Sequence, residues 1–268
     1  SADNGVGRDV VEQIIEIRLN DRTSMDMIEF SGIIPNDLDF NEDVYLIGTT
    51  TVLDTVEVSV APGVTFYANE SGILSISGSI QAIGTEELPI TFTYGTTIER
   101  YVEPEPTYMW LGIEIDADGE GPQRNSSSEN NFEWCIFENG SNYDGGALNI
   151  NSRVVNVDNC AFRYNEADNS GGAIYAYLSE LSITNSLFEE NISHDEGGAI
   201  SAYDSELIVD NSEFNYNSAE GYSGRAIFFS EFDIEGPLRN LHDVQISGSS
   251  FSNNGTPEYG GAVSIESA

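Results

Sequence analysis

The chain has 268 residues, with Asp+Glu 46 against Lys+Arg 9, a net charge of −37, and all nine cations are Arg. Such a surface repels nucleic acid and anionic lipid, which argues against both as partners, and it attracts cations or suits a salty medium. No run approaches the roughly 18 apolar residues of a membrane span, so membrane insertion by a helix is not expected. The 13 Phe, 13 Tyr and 26 Gly suit an all-β protein rich in turns.

Residues 1–41 do not follow the pattern of the rest. The chain starts at Ser1 rather than Met, which fits a removed export signal. Ile15, Ile17 and Leu19 alternate with Glu16, Arg18 and Asn20, a half-buried strand, and Met27, Ile28 and Phe30 supply a second apolar patch. The segment reads as an N-terminal cap over the open end of a solenoid, or as a strand donated to a neighbouring subunit.

Residues 42–116 read as opening coils. Val44 to Ile47 form one strand, and Val56, Val58 and Val60 alternate in the next. Ala61-Pro62-Gly63 turns the chain before Val64-Thr65-Phe66-Tyr67. Gly72-Ile73-Leu74-Ser75-Ile76-Ser77-Gly78, Pro89-Ile90-Thr91-Phe92 and Trp110-Leu111-Gly112-Ile113 follow. This order resembles the first coils of the pectate-lyase-like right-handed parallel β-helix superfamily. The resemblance implies that fold and an exported location, and says little of activity. Thr96 to Thr107 and residues 117–130 read as loops thrown out from the stack.

Across residues 131–268 two patterns alternate. Phe-x-x-Asn recurs as Phe162 with Asn165, Phe188 with Asn191, Phe214 with Asn217 and Phe251 with Asn254. Gly-Gly-Ala-apolar recurs from Gly145, Gly171, Gly197 and Gly260. Phe162, Phe188 and Phe214 stand 26 residues apart, a period too short for a helix pair but suited to three short strands per coil. The expected fold is therefore an all-β, right-handed parallel β-helix, its Phe rings stacked inward and its Asn amides bonding coil to coil. Three departures stand out. Phe137-Glu138-Asn139 is one residue short, and Arg225 replaces a Gly of the Gly pair. Phe214 to Phe251 spans 37 residues, which places an excursion near Ser230 to His242. The paired motifs resemble the repeats of the polymorphic membrane protein family. That resemblance implies a surface-exposed β-helical adhesin or autotransporter passenger.

Cys135 and Cys160 occupy the place where later coils have Ser186, Ser212 and Ser249. One coil apart, they are candidates for a disulfide or for two buried thiols; a one-residue slip would turn them to opposite faces.

The candidate cation-binding groups are the carboxylates before the Gly pairs: Asp144, Asp168, Asp195, Glu196, Glu220 and Glu258. They are expected in one column, where calcium or another cation is the only cofactor suggested. Enzymes of the superfamily cluster Asp on adjacent coils with Arg, Lys or His, and this chain has no Lys. His194 lies in an acidic turn, while His242 sits near Arg239. Outward alternation makes Tyr175, Tyr177, Tyr203 and Phe228 a candidate ligand or subunit contact, with Tyr203 stacked on Tyr177. Asn69, Asn125, Asn139, Asn191 and Asn254 stand in Asn-x-Ser/Thr sequons, candidates for N-glycosylation.

The leading functional expectation is a non-enzymatic, exported cell-surface protein. It would be a rigid rod serving as a filament, sheath or coat subunit or as an adhesin stalk, with head-to-tail copies of itself as partner. The last residues start a strand (Ala262, Val263, Ile265) with no capping segment, which leaves either a neighbouring subunit or further chain to cover it. The alternatives are a calcium-assisted polysaccharide lyase or glycoside hydrolase, and a carbohydrate-binding module that meets surface glycans through the Tyr residues.

Overall fold

The computed structural model describes residues 18–19, 28–95, 109–116, 129–221, 223–231, 243–255 and 261–267. The N-terminal segment apart from Arg18–Leu19 and the strands from Ile28 onward lies outside the described residues. So do the loops expected around Thr96 to Thr107 and residues 117–128, and nearly all of the excursion ending at His242. Among the described residues the chain is all β, and its coils form a right-handed parallel β-helix, the hand that parallel crossover connections take.

Each repeat coil is built from three principal strands and a short fourth one. Ile174–Tyr177 lies on the first face, Glu180–Thr184 on the second, Leu187–Glu189 on the third, and Ile192–Ser193 adds a two-residue rung. The second face is an 8-stranded parallel sheet, and the short rungs make a 4-stranded one. With strands about 4.8 Å apart, eight layers make a column of about 40 Å. The first and third faces run as separate ladders along the repeats. They merge near the N-terminal end because Val44–Val52 pairs with both Thr65–Ala68 and Ile73–Ile76.

The parallel ladder already includes Ile28–Ile34, paired with Val44–Val52, and Leu38–Phe40, paired with Glu57–Val60. Residues grouped by sequence with the cap thus form the first coil, because Phe30, Ile34 and Phe40 face the core. Likewise Glu129 and Asn130, assigned above to the second loop, belong to the strand Glu129–Glu133. Buried Asn130 accepts from Ile80 N–H and donates to the Val154 carbonyl.

The corners explain the sequence pattern. Each is turned by one residue of positive φ: Leu178 (51°) after the first face, Asn185 (50°) after the second, Glu190 (53°) after the third, and Gly197 (62°) before the next coil. Such residues recur in columns, as Trp134, Asn159, Asn185 and Asn211 do at the second corner. Directly after each of the first three comes a buried polar residue: Ser179, Ser186 and Asn191. There the backbone N–H points along the axis toward the next coil. It is satisfied by the equivalent side chain one coil on: Ser205 Oγ at 3.0 Å, Ser212 Oγ at 3.1 Å and Asn217 Oδ1 at 3.1 Å. A hydroxyl or amide is required because a buried N–H without an acceptor costs about 1–3 kcal/mol.

The Gly pairs serve close approach as well as φ. A Cβ on Gly172 would lie 2.1 Å from the Gly198 carbonyl oxygen, and one on Gly171 (φ 72°) 2.2 Å from that of Ile174. In the next coil Arg225 holds the second position of the pair. Its buried side chain donates to the Ala219 carbonyl and lies against Gly255, where a Cβ would meet Arg225 Cγ at 2.4 Å.

Inside, the Phe rings form one file. Centroids of Phe162, Phe188, Phe214 and Phe251 are 4.7, 4.8 and 4.9 Å apart in turn, with planes within 10°. The file extends through Phe137, Phe92 and Phe66 into the opening coils. Each ring burial contributes on the order of 2–3 kcal/mol.

Candidate functional site

The chemistry-bearing side chains are distributed by the coil geometry. The third corner holds the buried Asn ladder. Asn165 donates Nδ2–H to the Phe137 carbonyl at 3.1 Å and to Asn191 Oδ1 at 2.9 Å, and the pattern repeats to Asn217 and Asn254. In the first repeat coil, Asn165 Oδ1 accepts from Gly140 N–H at 2.9 Å. Gly140, not Asn139, therefore holds the ladder position, and Asn139 is the positive-φ corner (59°). The missing residue falls after the Ser141–Asn142 rung, which pairs with Glu166–Ala167.

Phe137 pairs with Phe162 in an unbroken register, so the two cysteines before them point the same way. Both are buried free thiols, and Cys135 N–H donates to Cys160 Sγ at 3.3 Å. Cys160 N–H donates in turn to Ser186 Oγ at 3.1 Å. The thiols thus stand in for serine hydroxyls in the second-corner ladder. Burial first, then the hydrogen bond and the negative charge of an ionised Cys160, push the Cys135 thiol up.

The acidic residues before the Gly pairs do not converge. Backbone bonds place Asp168, His194 and Glu220 in one column, Asn169, Asp195 and Gly221 in the next, and Ser170 with Glu196 in a third. Asp144 is used locally: its Oδ1 accepts from Asn169 Nδ2 at 2.8 Å and from Ser170 N–H at 3.2 Å. Glu196 accepts from the Tyr203 hydroxyl at 2.8 Å, and burial chiefly raises its pKa. The acidic residues stand one to four residues before their Gly pairs, at positions that the backbone ladder keeps in separate columns. Glu258 and His242 lie outside the described residues. Among the described residues, no group of three or more His, Cys, Asp or Glu side chains is placed to hold a metal ion.

His194 ties three coils together. Its Nε2 lies 2.9 Å from Glu166 Oε1 and its Nδ1 3.0 Å from Glu220 Oε2. The hydrogen bond to Glu166, then that to Glu220, raises the imidazole pKa, against a smaller opposing effect of burial. Glu220 was legible from the 26-residue offset, while Glu166 reaches His194 diagonally and was not.

The aromatic column differs from the expected one. Tyr177 and Tyr203 are in register, but the Tyr203 ring packs against Tyr175 and Phe228, each at 5.5 Å. Phe228 is 2% exposed and is not an exposed contact. Tyr175 and Tyr203 are half-buried, and desolvation chiefly raises both phenols, Tyr175 to about 12. More open are Tyr143, Tyr164 and Tyr216, the last two at third-corner positions of positive φ.

Of the sequons, Asn191 is fully buried in its ladder and closed to any glycan in the folded chain. Asn69, Asn139 and Asn254 are half-buried. Asn125 lies outside the described residues. Two of the cations are structural. Arg153 is buried and donates to the carbonyls of Ser77 and Asp116, and Arg225 is buried as described above.

Two segments, residues 159–177 and 185–203, match the family model of the Chlamydia polymorphic membrane protein (Chlamydia_PMP) repeat. They are successive coils, each running from the corner before the Phe strand through the Gly pair to the first-face strand. No curated protein matches the chain. No solved structure matches it either. Two coils of the β-helix are thus similar to a repeat of the polymorphic membrane proteins.

Proposed function

We propose that this chain is a non-enzymatic, surface-exposed rod of the autotransporter-passenger kind, acting as a stalk that holds adhesive or protective surface away from a cell. The observation that carries the reading is the match of two successive coils to the polymorphic membrane protein repeat, at the positions that make the ladders. The energetics agree with it. Side chains capable of chemistry are committed to coil-to-coil bonds: Asn165, Asn191, Asn217 and both cysteines along the inner corners, His194 and its two glutamates outside. A stack whose Phe rings lie in file and whose corner N–H groups are bonded between layers is stiff along its axis. Its strongly acidic charge keeps neighbouring rods apart and in solution. The test is labelling of intact source cells with antibody fragments raised against the folded chain. Staining of unpermeabilised cells that disappears after external protease is expected; staining only after permeabilisation would overturn the reading.

A further inference from the structure

Two exposed tyrosines stand in one column. Of the described tyrosines only Tyr143, Tyr164 and Tyr216 are exposed, the last two by 47% and 57%. Tyr164, Glu190 and Tyr216 occupy the third corner of three successive coils, where their N–H groups donate to the carbonyls of Glu189, Asn215 and Ser252, each one coil on. Their φ angles of 56°, 53° and 57° match, so the three side chains leave the stack in the same direction. A left-handed backbone disfavours a bulky ring, and Asn139 and Asn253 fill this column at lower cost at its two ends.

The fold itself makes no use of these three side chains. Among the described residues they have no hydrogen bond, ion pair or ring contact. Other charges along this edge are matched: Arg163 with Glu189 at 3.6 Å, and His194 with Glu166 and Glu220. Layers about 4.8 Å apart set the two tyrosines about 10 Å from each other, with Glu190 between them. A cation held midway lies about 5 Å from each ring, inside the roughly 6 Å over which a ring face attracts positive charge.

Charge and ligand chemistry narrow the occupant. The net charge of −37 repels an anion and favours a cation. One carboxylate and two phenols are too few oxygens for calcium, which takes about six to eight. An ammonium ion with N–H groups would give up water partners that two ring faces do not replace. A quaternary ammonium has no N–H to leave unpaired.

We propose that Tyr164, Glu190 and Tyr216 form a binding site for a quaternary ammonium group of the kind carried by choline. The two rings flank its methyl groups and the Glu190 carboxylate balances its charge. The site rests on the coil geometry alone and is independent of where the rod stands.

Tetramethylammonium titrated into the intact chain at constant ionic strength, followed through the Tyr164 and Tyr216 ring resonances, tests the proposal. Saturable shifts at millimolar concentration are expected, and choline should compete. Tyr164→Leu, Tyr216→Leu and Glu190→Gln should each weaken binding about threefold or more, whereas Tyr143→Leu should leave it unchanged. Unaltered hydrogen exchange at Phe162 and Phe188 in the variants separates loss of the site from loss of the fold. Absence of a saturable shift, an equal response to the uncharged tert-butyl analogue of choline, or displacement by equimolar calcium would overturn the proposal.

Discussion

Asn165 and Asn191, 26 residues apart in sequence, are joined twice: Asn191 Oδ1 accepts from Asn165 N–H at 3.1 Å and from Asn165 Nδ2–H at 2.9 Å. Asn191 also donates to the Phe162 carbonyl at 3.0 Å and to Asn217 Oδ1 at 2.9 Å. Its amide is therefore fully used inside the molecule. Asn191→Ala removes acceptor and donor together and strands the Asn165 N–H. A loss of about 3–5 kcal/mol is expected, since several buried groups each lose about 1–3 kcal/mol. Asn191→Asp should be at least as damaging, because a carboxylate would then face two oxygens without a donor. Urea denaturation of the three proteins measures this, and an Asp variant as stable as the parent would refute the ladder.

The Phe file makes a graded prediction. Phe188 is fully buried between two rings, so Phe188→Ala should cost about 3–5 kcal/mol. Phe251 has a ring on one side and is partly exposed, so the same change there should cost on the order of 1 kcal/mol. Hydrogen exchange resolves the two. Equal effects at both positions would mean that the last coil is not the end of the packed stack.

His194 sets a pH dependence of definite sign. Its folded-state pKa is raised, first by Glu166 and then by Glu220, so the folded chain holds the proton more tightly than the unfolded one. The stabilisation is complete below about pH 6.5 and fades as pH rises through the higher folded value. Its side chain is 40% exposed, so screening limits the effect to about 0.2–1 kcal/mol. The stability difference between the parent and His194→Gln should be largest near pH 6 in low salt and shrink toward pH 9. A difference that grows with pH would contradict the assigned bridge.

Cysteine and serine should be interchangeable in the second-corner ladder. Cys160→Ser should change stability by less than about 1 kcal/mol, because Ser186 and Ser212 fill the same role one and two coils on. Cys160→Ala leaves the buried Cys135 N–H without an acceptor and should cost about 1–3 kcal/mol. Both thiols should resist a disulfide-exchange reagent until the chain unfolds, as expected of buried groups. Fast modification of the folded chain would show that this corner opens.

Spacing alone determined the architecture. A 26-residue recurrence of Phe, Asn and paired Gly requires equivalent residues to stack, because no single coil can bury its own apolar face. The inward Phe file, the Asn ladder and the shared place of Cys135, Cys160 and Ser186 all follow from that. Tertiary structure decided what depends on height and angle around the coil. The positive-φ corners show why Ser179 and Ser186 are polar though buried, and why Gly140 rather than Asn139 completes the Asn ladder. Diagonal reach brought Glu166 to His194 and Tyr175, not Tyr177, to Tyr203. The acidic residues, standing at different distances before their Gly pairs, fall into separate columns. A linear period records which residues lie one coil apart, whereas side-chain meeting also depends on the turn of the chain at each corner and on how far a long side chain leans across its neighbours.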